Sequence, residues 1–321
     1  MPTPRICIIG SINVDFTTYT SRYPEPGETL LASAHEISGG GKGANQAVAC
    51  GRAAFASKTE HEQDRAGVNT TAVTERSDAP TGSASIAVEG AAGGENRILV
   101  VPGANYAGMS DVDEILARAR REMAGLSFTG GHEVVVLQGE IPRRTVLGLL
   151  RYFNGSRKHN DTRAHVVLNP APVFAEGIPV DALRGMSVLI MNETEARMMA
   201  QFMGVLDSLE PEELATRFHR DVDVQIVLIT LGSRGVFYST KTSAAGFVAG
   251  VSVEKVVDTS GAGDTFVGYF AVSLARFLAT GMPLASFDTH IEESVRWSNL
   301  AAGRSVEKKG AMNGIPFAYE L

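Results

Sequence analysis

The run Val257-Asp258-Thr259-Ser260-Gly261-Ala262-Gly263-Asp264-Thr265 concentrates more potential chemistry than any other stretch of this 321-residue chain. Three small residues precede an acid, and the apolar stretch 265–278 that follows reads as a helix. Glycines let backbone N–H groups turn toward a ligand, and a helix N-terminus adds positive potential there. Such a loop suits a group that gains negative charge, such as a phosphoryl in transfer. Asp264, in the first helical turn, is a carboxylate placed where a general base would stand. The same residues also compose a plain glycine turn with an Asp at a helix start.

Four further motifs carry polar groups suited to small-molecule binding. Gly39-Gly40-Gly41-Lys42-Gly43-Ala44-Asn45-Gln46-Ala47 leads into a helical pattern. It is not a Walker A loop, because Gly follows Lys42 and position 36 is Glu. Gly39-x-Gly41-x-x-Ala44 formally matches a dinucleotide fingerprint, but it does not follow the first strand of a βαβ unit. The alternatives are close backbone approach to a polyhydroxylated ligand, with Lys42 and Asn45 as hydrogen-bonding groups, or a flexible loop capped by Asn45.

In Gly10-Ser11-Ile12-Asn13-Val14-Asp15, the spacing of Asn13 and Asp15 projects both side chains from one side of an extended chain. They could clamp vicinal hydroxyls, or form an Asx turn. Asn192-Glu193-Thr194-Glu195 after an apolar strand could hold waters around Mg²⁺, or simply cap a helix. Thr230-Leu231-Gly232-Ser233-Arg234-Gly235 fits a nucleotide's phosphates and ribose, or a hairpin turn.

These motifs need a scaffold, and the apolar pattern supplies one. Strands are expected at 5–9, 133–137, 165–168, 187–191 and 225–231. Helices are expected at 43–54, 111–124, 143–153, 193–203, 211–219, 265–278 and 291–306. Buried strands alternating with helices predict a mostly parallel sheet covered on both faces. Segments 29–37 and 83–101 read as strands without intervening helices, a small sheet that would project as a lid. Ligand-binding loops then belong at the C-terminal ends of the parallel strands, beneath it. Residues 57–80 break the rhythm. They are polar where a core strand is expected, and only Thr70–Val73 offers a weak strand pattern.

Bulk properties narrow the function class. Hydrophobic residues make up 44%, ordinary for a globular protein, and the length suits one large α/β domain or two smaller ones. A net charge of -7 without a basic patch argues against nucleic-acid binding. Seven histidines without HxxxH or HExxH spacing argue against a zinc enzyme. Cys7 and Cys50 read as buried small hydrophobes rather than a disulfide framework. With neither a leader nor a membrane-length apolar run, a cytoplasmic protein is expected, with nuclear presence also open.

Taken together, the motifs resemble a known family. Gly39–Ala47 is similar to the first signature of the PfkB (ribokinase-like) carbohydrate kinases, and Asp258–Phe266 to the second. The likeness extends to Gly10–Asp15, Pro26–Thr29, Asn169–Pro172, Asn192–Ala196, Thr230–Val236 and Lys309–Ala311, nearly the whole chain. It implies an α/β fold, a ribokinase-like three-layer α/β/α arrangement with a mostly parallel sheet and a small β-sheet lid. Residues 1–321 would form one kinase domain, with the lid from about 12–38 and 82–103 inserted in the core. Residues 55–80 depart from the family pattern as an atypical, shortened segment that lacks a strand and its following turn.

The resemblance implies ATP-dependent transfer of the γ-phosphoryl to a sugar hydroxymethyl, the 5-hydroxyl for ribose. The alternatives are another sugar or nucleoside kinase of the family, or a sugar-binding protein without turnover. By motif, Asp264 would be the base, and the amides of Gly261, Ala262 and Gly263 the anion hole. Asn13, Asp15, Gly40, Gly41, Lys42, Asn45 and Glu140 would bind ribose. Asn192, Glu195, Thr230, Gly232, Ser233 and Gly263 would serve ATP and Mg²⁺, with Asn299 near the adenine. Asp258 and Ser260, with Ser305, Lys308, Gly310 and Gly314, resemble a monovalent-cation site for K⁺. A homodimer through the lid is also implied.

Overall fold

The computed structural model describes residues 5–55, 66–90, 95–124, 133–156, 164–205 and 209–321. In chain order, β1 (Arg5–Ile9), β2 (Asn13–Thr20) and β3 (Ala34–Gly40) precede α1 (Lys42–Ala54). Then come β4 (Gly82–Glu89), β5 (Glu95–Val101), α2 (Ala104–Gly108), α3 (Val112–Ala124), β6 (Glu133–Gln138) and α4 (Arg143–Ser156). They are followed by β7 (Ala164–Asn169), α5 (Val180–Leu183), β8 (Val188–Asn192), α6 (Glu193–Gln201), α7 (Pro211–Val222) and β9 (Ile226–Thr230). The chain closes with β10 (Gly235–Thr240), β11 (Ala245–Ala249), α8 (Ala262–Leu278), α9 (Ile291–Ser305) and α10 (Ala311–Gly314).

The main sheet has the order β1-β6-β7-β8-β9-β10-β11. β1, β6, β7, β8 and β9 run parallel, and β10 and β11 add an antiparallel hairpin. The central strands are continuous apolar runs because helices cover both faces. On one face Leu137, Leu168, Leu189 and Val227 pack with Leu149, Phe153, Phe218 and their neighbours. On the other, Val136, Val167, Ile190 and Leu228 pack with Phe266, Phe270 and Phe287. α8 is buried around most of its circumference, and each fully buried Phe contributes about 2 kcal/mol of transfer free energy. The expected three-layer arrangement is therefore present.

A second sheet, β3-β2-β4-β5, stands apart. β2 pairs antiparallel with β3 and parallel with β4, which pairs antiparallel with β5. β2 was not among the expected strands, although Asn13 and Asp15 read either as two positions on one side of an extended chain or as an Asx turn. Pairing on both edges decides for the extended chain and makes it a central strand of this sheet. Conversely, residues 29–33 are not strand. The chain turns at Gly27 (φ +83°) and leaves Leu31 exposed before β3 begins.

The region 55–80 has a structural consequence. β1 is an edge strand of the main sheet, and among the described residues none pairs with its outer side. The weak strand candidate Thr70–Val73 is a turn, closed by the Val73 N–H donating to the Thr70 carbonyl at 2.9 Å. The polar run 57–65 lies outside the described residues. Ala66 lies against α1, where a Cβ on Gly51 would come within 1.7 Å of the Ala66 carbonyl oxygen. Cys7 differs from expectation in degree: it is half-buried, packed against the core of one sheet face, whereas Cys50 is buried. No helix among the described residues is long and apolar enough to cross a membrane.

Candidate active site

The strands β1, β6, β7, β8 and β9 end on one side, and the N-termini of α1 and α8 meet there. Their close packing depends on Gly268, where a Cβ would stand 2.4 Å from that of Ala49. β3 delivers the glycine loop, and α1 starts at Lys42 with Gly41 as its N-cap. Gly41 has φ +87°, and a Cβ there would lie 2.8 Å from the Asn13 amide nitrogen. A Cβ on Gly40 would collide with the Asp15 carboxylate at 1.9 Å. Both glycines thus let the loop lie directly on β2.

Asn13 and Asp15 occupy the buried face of β2, as their spacing predicted. Asn13 Oδ1 accepts from Asn105 Nδ2 at 2.7 Å. Asp15 Oδ1 and Asn45 Oδ1 are buried acceptors without a partner. Such atoms cost roughly 1–3 kcal/mol each, and hydroxyl donors would satisfy both. Burial pushes the Asp15 carboxyl up to about 6, with Glu140 and Asp264 adding like-charge repulsion. Glu140 Oε2 accepts from Ser11 Oγ at 2.6 Å and from the Lys42 amide at 3.0 Å. The Lys42 ammonium lies 4.0 Å from Asp264 Oδ1. That carboxylate is the main cause holding Lys42 in its charged form; burial opposes it, and Glu140 and Glu195 add support.

Asp264 sits in the first turn of α8 and is 4% exposed. Its Oδ2 accepts from Asn45 Nδ2 at 3.0 Å and its Oδ1 from Gln46 Nε2 at 2.9 Å. Gly261 caps the helix at φ +76°, where a Cβ would press to 2.9 Å from the Ala311 Cα. Gly263 faces open space instead. The first amides of a helix lack intrahelical acceptors, and the Ala262 N–H reaches the Thr259 carbonyl only at 3.4 Å. Donors for an anion therefore line one side of the Asp264 carboxylate, and the glycine loop lies on the other.

The expected nucleotide residues are distributed along the remaining strand ends. Asn192 ends β8 and caps α6 in a reciprocal box: its Oδ1 accepts from the Glu195 amide at 2.8 Å, and Glu195 Oε2 accepts from the Asn192 amide at 2.9 Å. The capping interpretation thus describes the local structure and also fixes where the carboxylate points. Burial raises the Glu195 carboxyl, opposed by the Asn192 amide and Lys42, with Asp264 pushing it further up. Thr230 ends β9, and Gly232 and Ser233 lie exposed in the following 3₁₀ turn. Arg234 ties that turn to α6 through Glu193 at 2.6 Å. Asn299, on α9, is buried and donates to the Ala249 carbonyl at 2.8 Å. Among the described contacts, none joins Ser233 or Asn299 to the Lys42–Asp264 centre.

The candidate cation ligands do converge. Asp258 is 1% exposed and accepts from the Ser260 amide at 2.9 Å, the Gly310 amide at 3.0 Å and the Tyr19 hydroxyl at 3.3 Å. The Gly314 amide donates to the Gly310 carbonyl at 2.9 Å. A Cβ on Gly314 would meet the carbonyl oxygens of Ser305 at 2.6 Å and Lys308 at 3.8 Å. The small sheet touches this same corner. Besides Tyr19, Asn96 of β5 donates to Ser260 Oγ at 3.0 Å, and Glu36 of β3 accepts from Asn313 at 3.3 Å.

Sequence reasoning missed Ser11, Asn105, Gln46, Gln138 and Asn169. Asn169 and Gln46 stood within recognised motifs, but neither showed a partner until distant segments came together. Gln138 stood beside Glu140 without being assigned a role, and nothing in the sequence singles out Asn105.

Residues 3–318 match the family described as pfkB family carbohydrate kinase. The chain is similar to a ribokinase from Staphylococcus aureus, 31% identical over 333 residues covering 99% of each protein. It is 34% identical to a ribokinase from Haemophilus influenzae, over 98% of this chain and 96% of that one. Among solved structures, Giardia lamblia ribokinase superposes with a TM-score of 0.80 at 28% identity, covering 99% of this chain and 97% of that one. Arabidopsis thaliana ribokinase complexed with ribose and ATP gives a TM-score of 0.72 at 26% identity, covering 98% and 96%.

Proposed function

The chain belongs to the pfkB family of carbohydrate kinases, and we propose that it transfers the γ-phosphoryl of ATP to the 5-hydroxyl of D-ribose, giving ribose 5-phosphate and ADP. The observation that carries this assignment is the meeting of the glycine loop with the start of α8. Asp264 is buried between sugar-type ligands and helix-terminal amides. Relatives named ribokinase along the full chain support the same substrate.

The orphaned acceptors of Asp15 and Asn45, with Asn13, Lys42, Glu140 and the amides of Gly40 and Gly41, would hold the sugar hydroxyls. Asp264 takes the proton as O5 bonds to the γ-phosphorus and the bond to the β–γ bridging oxygen breaks, releasing ADP. The amides of Gly261, Ala262 and Gly263 stabilise the charge on the transferring group, and Lys42 adds a positive charge nearby. Asn192, Glu195, Thr230, Gly232, Ser233 and Gly263 would accommodate the ATP phosphates, and Asn299 lies on the adenine side. Mg²⁺, held through waters by Asn192 and Glu195, would neutralise phosphate charge. Burial raises the Glu195 carboxyl, and a cation held there would favour its ionised form.

Asp258 is a buried carboxylate whose hydrogen-bond donors are two amides and a hydroxyl. That chemistry fits a weakly hydrated monovalent cation such as K⁺. Asp258, with Ser260, Ser305, Lys308, Gly310 and Gly314, would hold it and stiffen the neighbouring anion hole. We read residues 1–321 as one kinase domain with the small sheet as its lid, covering the sugar against water. The lid's exposed Phe16, Ile37, Leu99 and Val101 suit a homodimer. The negative net charge disfavours nucleic acid. A cytoplasmic location fits a sugar-phosphate enzyme.

A coupled ADP-release assay across ribose, deoxyribose, fructose and adenosine, with and without K⁺, tests the proposal. Ribose should give the highest kcat/KM, with stimulation by K⁺. Saturable ribose binding without turnover would instead mark a sensor, and preference for adenosine a nucleoside kinase.

A further inference from the structure

Gln46 follows the sugar loop by one residue and lies wholly buried. Its amide nitrogen donates to Asp264 Oδ1 at 2.9 Å and to Asn169 Oδ1 at 3.3 Å. Its amide oxygen accepts from Gln138 Nε2 at 2.6 Å. Gln138 and Asn169 are register partners at the ends of β6 and β7. Asn169 is itself anchored, donating to the Ile190 carbonyl in β8 at 3.0 Å. Three adjacent strands of the main sheet thus reach Asp264, on α8, through one side chain of α1.

We propose that Gln46 is a positioning residue for the phosphoryl transfer. Asp264 Oδ1 and the anchored Asn169 Oδ1 can only accept, so Gln46 must present its N–H₂ to both and its amide oxygen to Gln138. The bond to Asp264 occupies Oδ1 on the sheet side and sets the rotation of the carboxylate. Oδ2, which faces Asn45 of the sugar loop, is then the oxygen that takes the proton from the sugar hydroxyl. This assignment rests on Asp264 being the base. It adds that the base needs the amide chain behind it to be aimed.

The two layers separate experimentally. Gln46→Met keeps the volume but cannot donate, and Gln138→Met removes the bond that holds the Gln46 amide oxygen. With ribose and ATP, Gln46→Met should lower kcat on the order of 10- to 100-fold, while KM and the calorimetric ribose Kd move less than about threefold. Gln138→Met should show the same pattern at smaller size. Unchanged kcat in Gln46→Met, or equal losses in kcat and ribose affinity, would each overturn the positioning role. If Asp264→Asn retains turnover, the base assignment itself fails, whatever Gln46→Met does. Circular dichroism and melting of each variant identify any that fail to fold. Should Gln46→Met do so, Gln138→Met carries the test by the same criteria.

Discussion

Asp15→Asn should make the protein more stable and a worse binder, and the structure sets both magnitudes. The Asp15 carboxyl is raised from 3.8 to about 6, chiefly by burial and then by Glu140 and Asp264. Above pH 6 it is ionised in both the folded and the unfolded chain, and the folded chain bears the cost of burying the charge. Below about pH 4 it is protonated in both, and that cost disappears. For an acid raised on folding, stability therefore falls as pH rises from about 4 through 6. The shift corresponds to about 3 kcal/mol, or a Tm gain of about 4 °C for Asp15→Asn at pH 7.5 in a chain of this size. The gain should vanish at pH 4. Sugar binding moves the other way, because hydroxyl donors need the carboxylate. The parent should lose ribose affinity about tenfold per pH unit below 6, and Asp15→Asn should bind weakly without that pH slope. Differential scanning calorimetry and ribose titration at pH 4, 6 and 7.5 measure both effects. A variant less stable than the parent at pH 7.5, or equally stabilised at every pH, would refute the reasoning.

Gly40→Ala places a Cβ 1.9 Å from an Asp15 oxygen, so it should raise the ribose KM at least about tenfold in steady-state kinetics. Asp258→Asn removes the buried charge beside Ser260 and Gly310, and its kcat in KCl should fall to the rate in tetramethylammonium chloride. Hydrogen exchange read by mass spectrometry should find the amides on the free side of β1 exchanging at least about tenfold faster than those of the buried β6. Uniform protection across the two strands would mean that the edge is covered.

Much of the scaffold was legible in the chain. Continuous Val, Ile and Leu runs at β6, β7, β8 and β9 can only be strands buried on two faces, and the amphipathic segments between them can only be their covers. Boundaries were less legible, since capping residues such as Asn192 belong to a strand and a helix at once. For β2 of the small sheet, Asn13 and Asp15 left an extended chain and an Asx turn both open, and pairing on both its edges decided the matter. That β1 has no outer partner among the described residues was foreshadowed by the polar segment 57–80.

The sequence by itself determined the parts of the site: a glycine loop with Lys42 and Asn45, and a second with Asp264. Their residue types and spacing are local properties, set by backbone freedom and helix starts. What only the tertiary structure decided is how those parts act on one another. Gln46 meets Asp264 across 218 positions, and Tyr19 meets Asp258 across 239. Such bonds have no sequence signature, because they exist only once the fold has brought α1, α8 and the small sheet to the same strand ends.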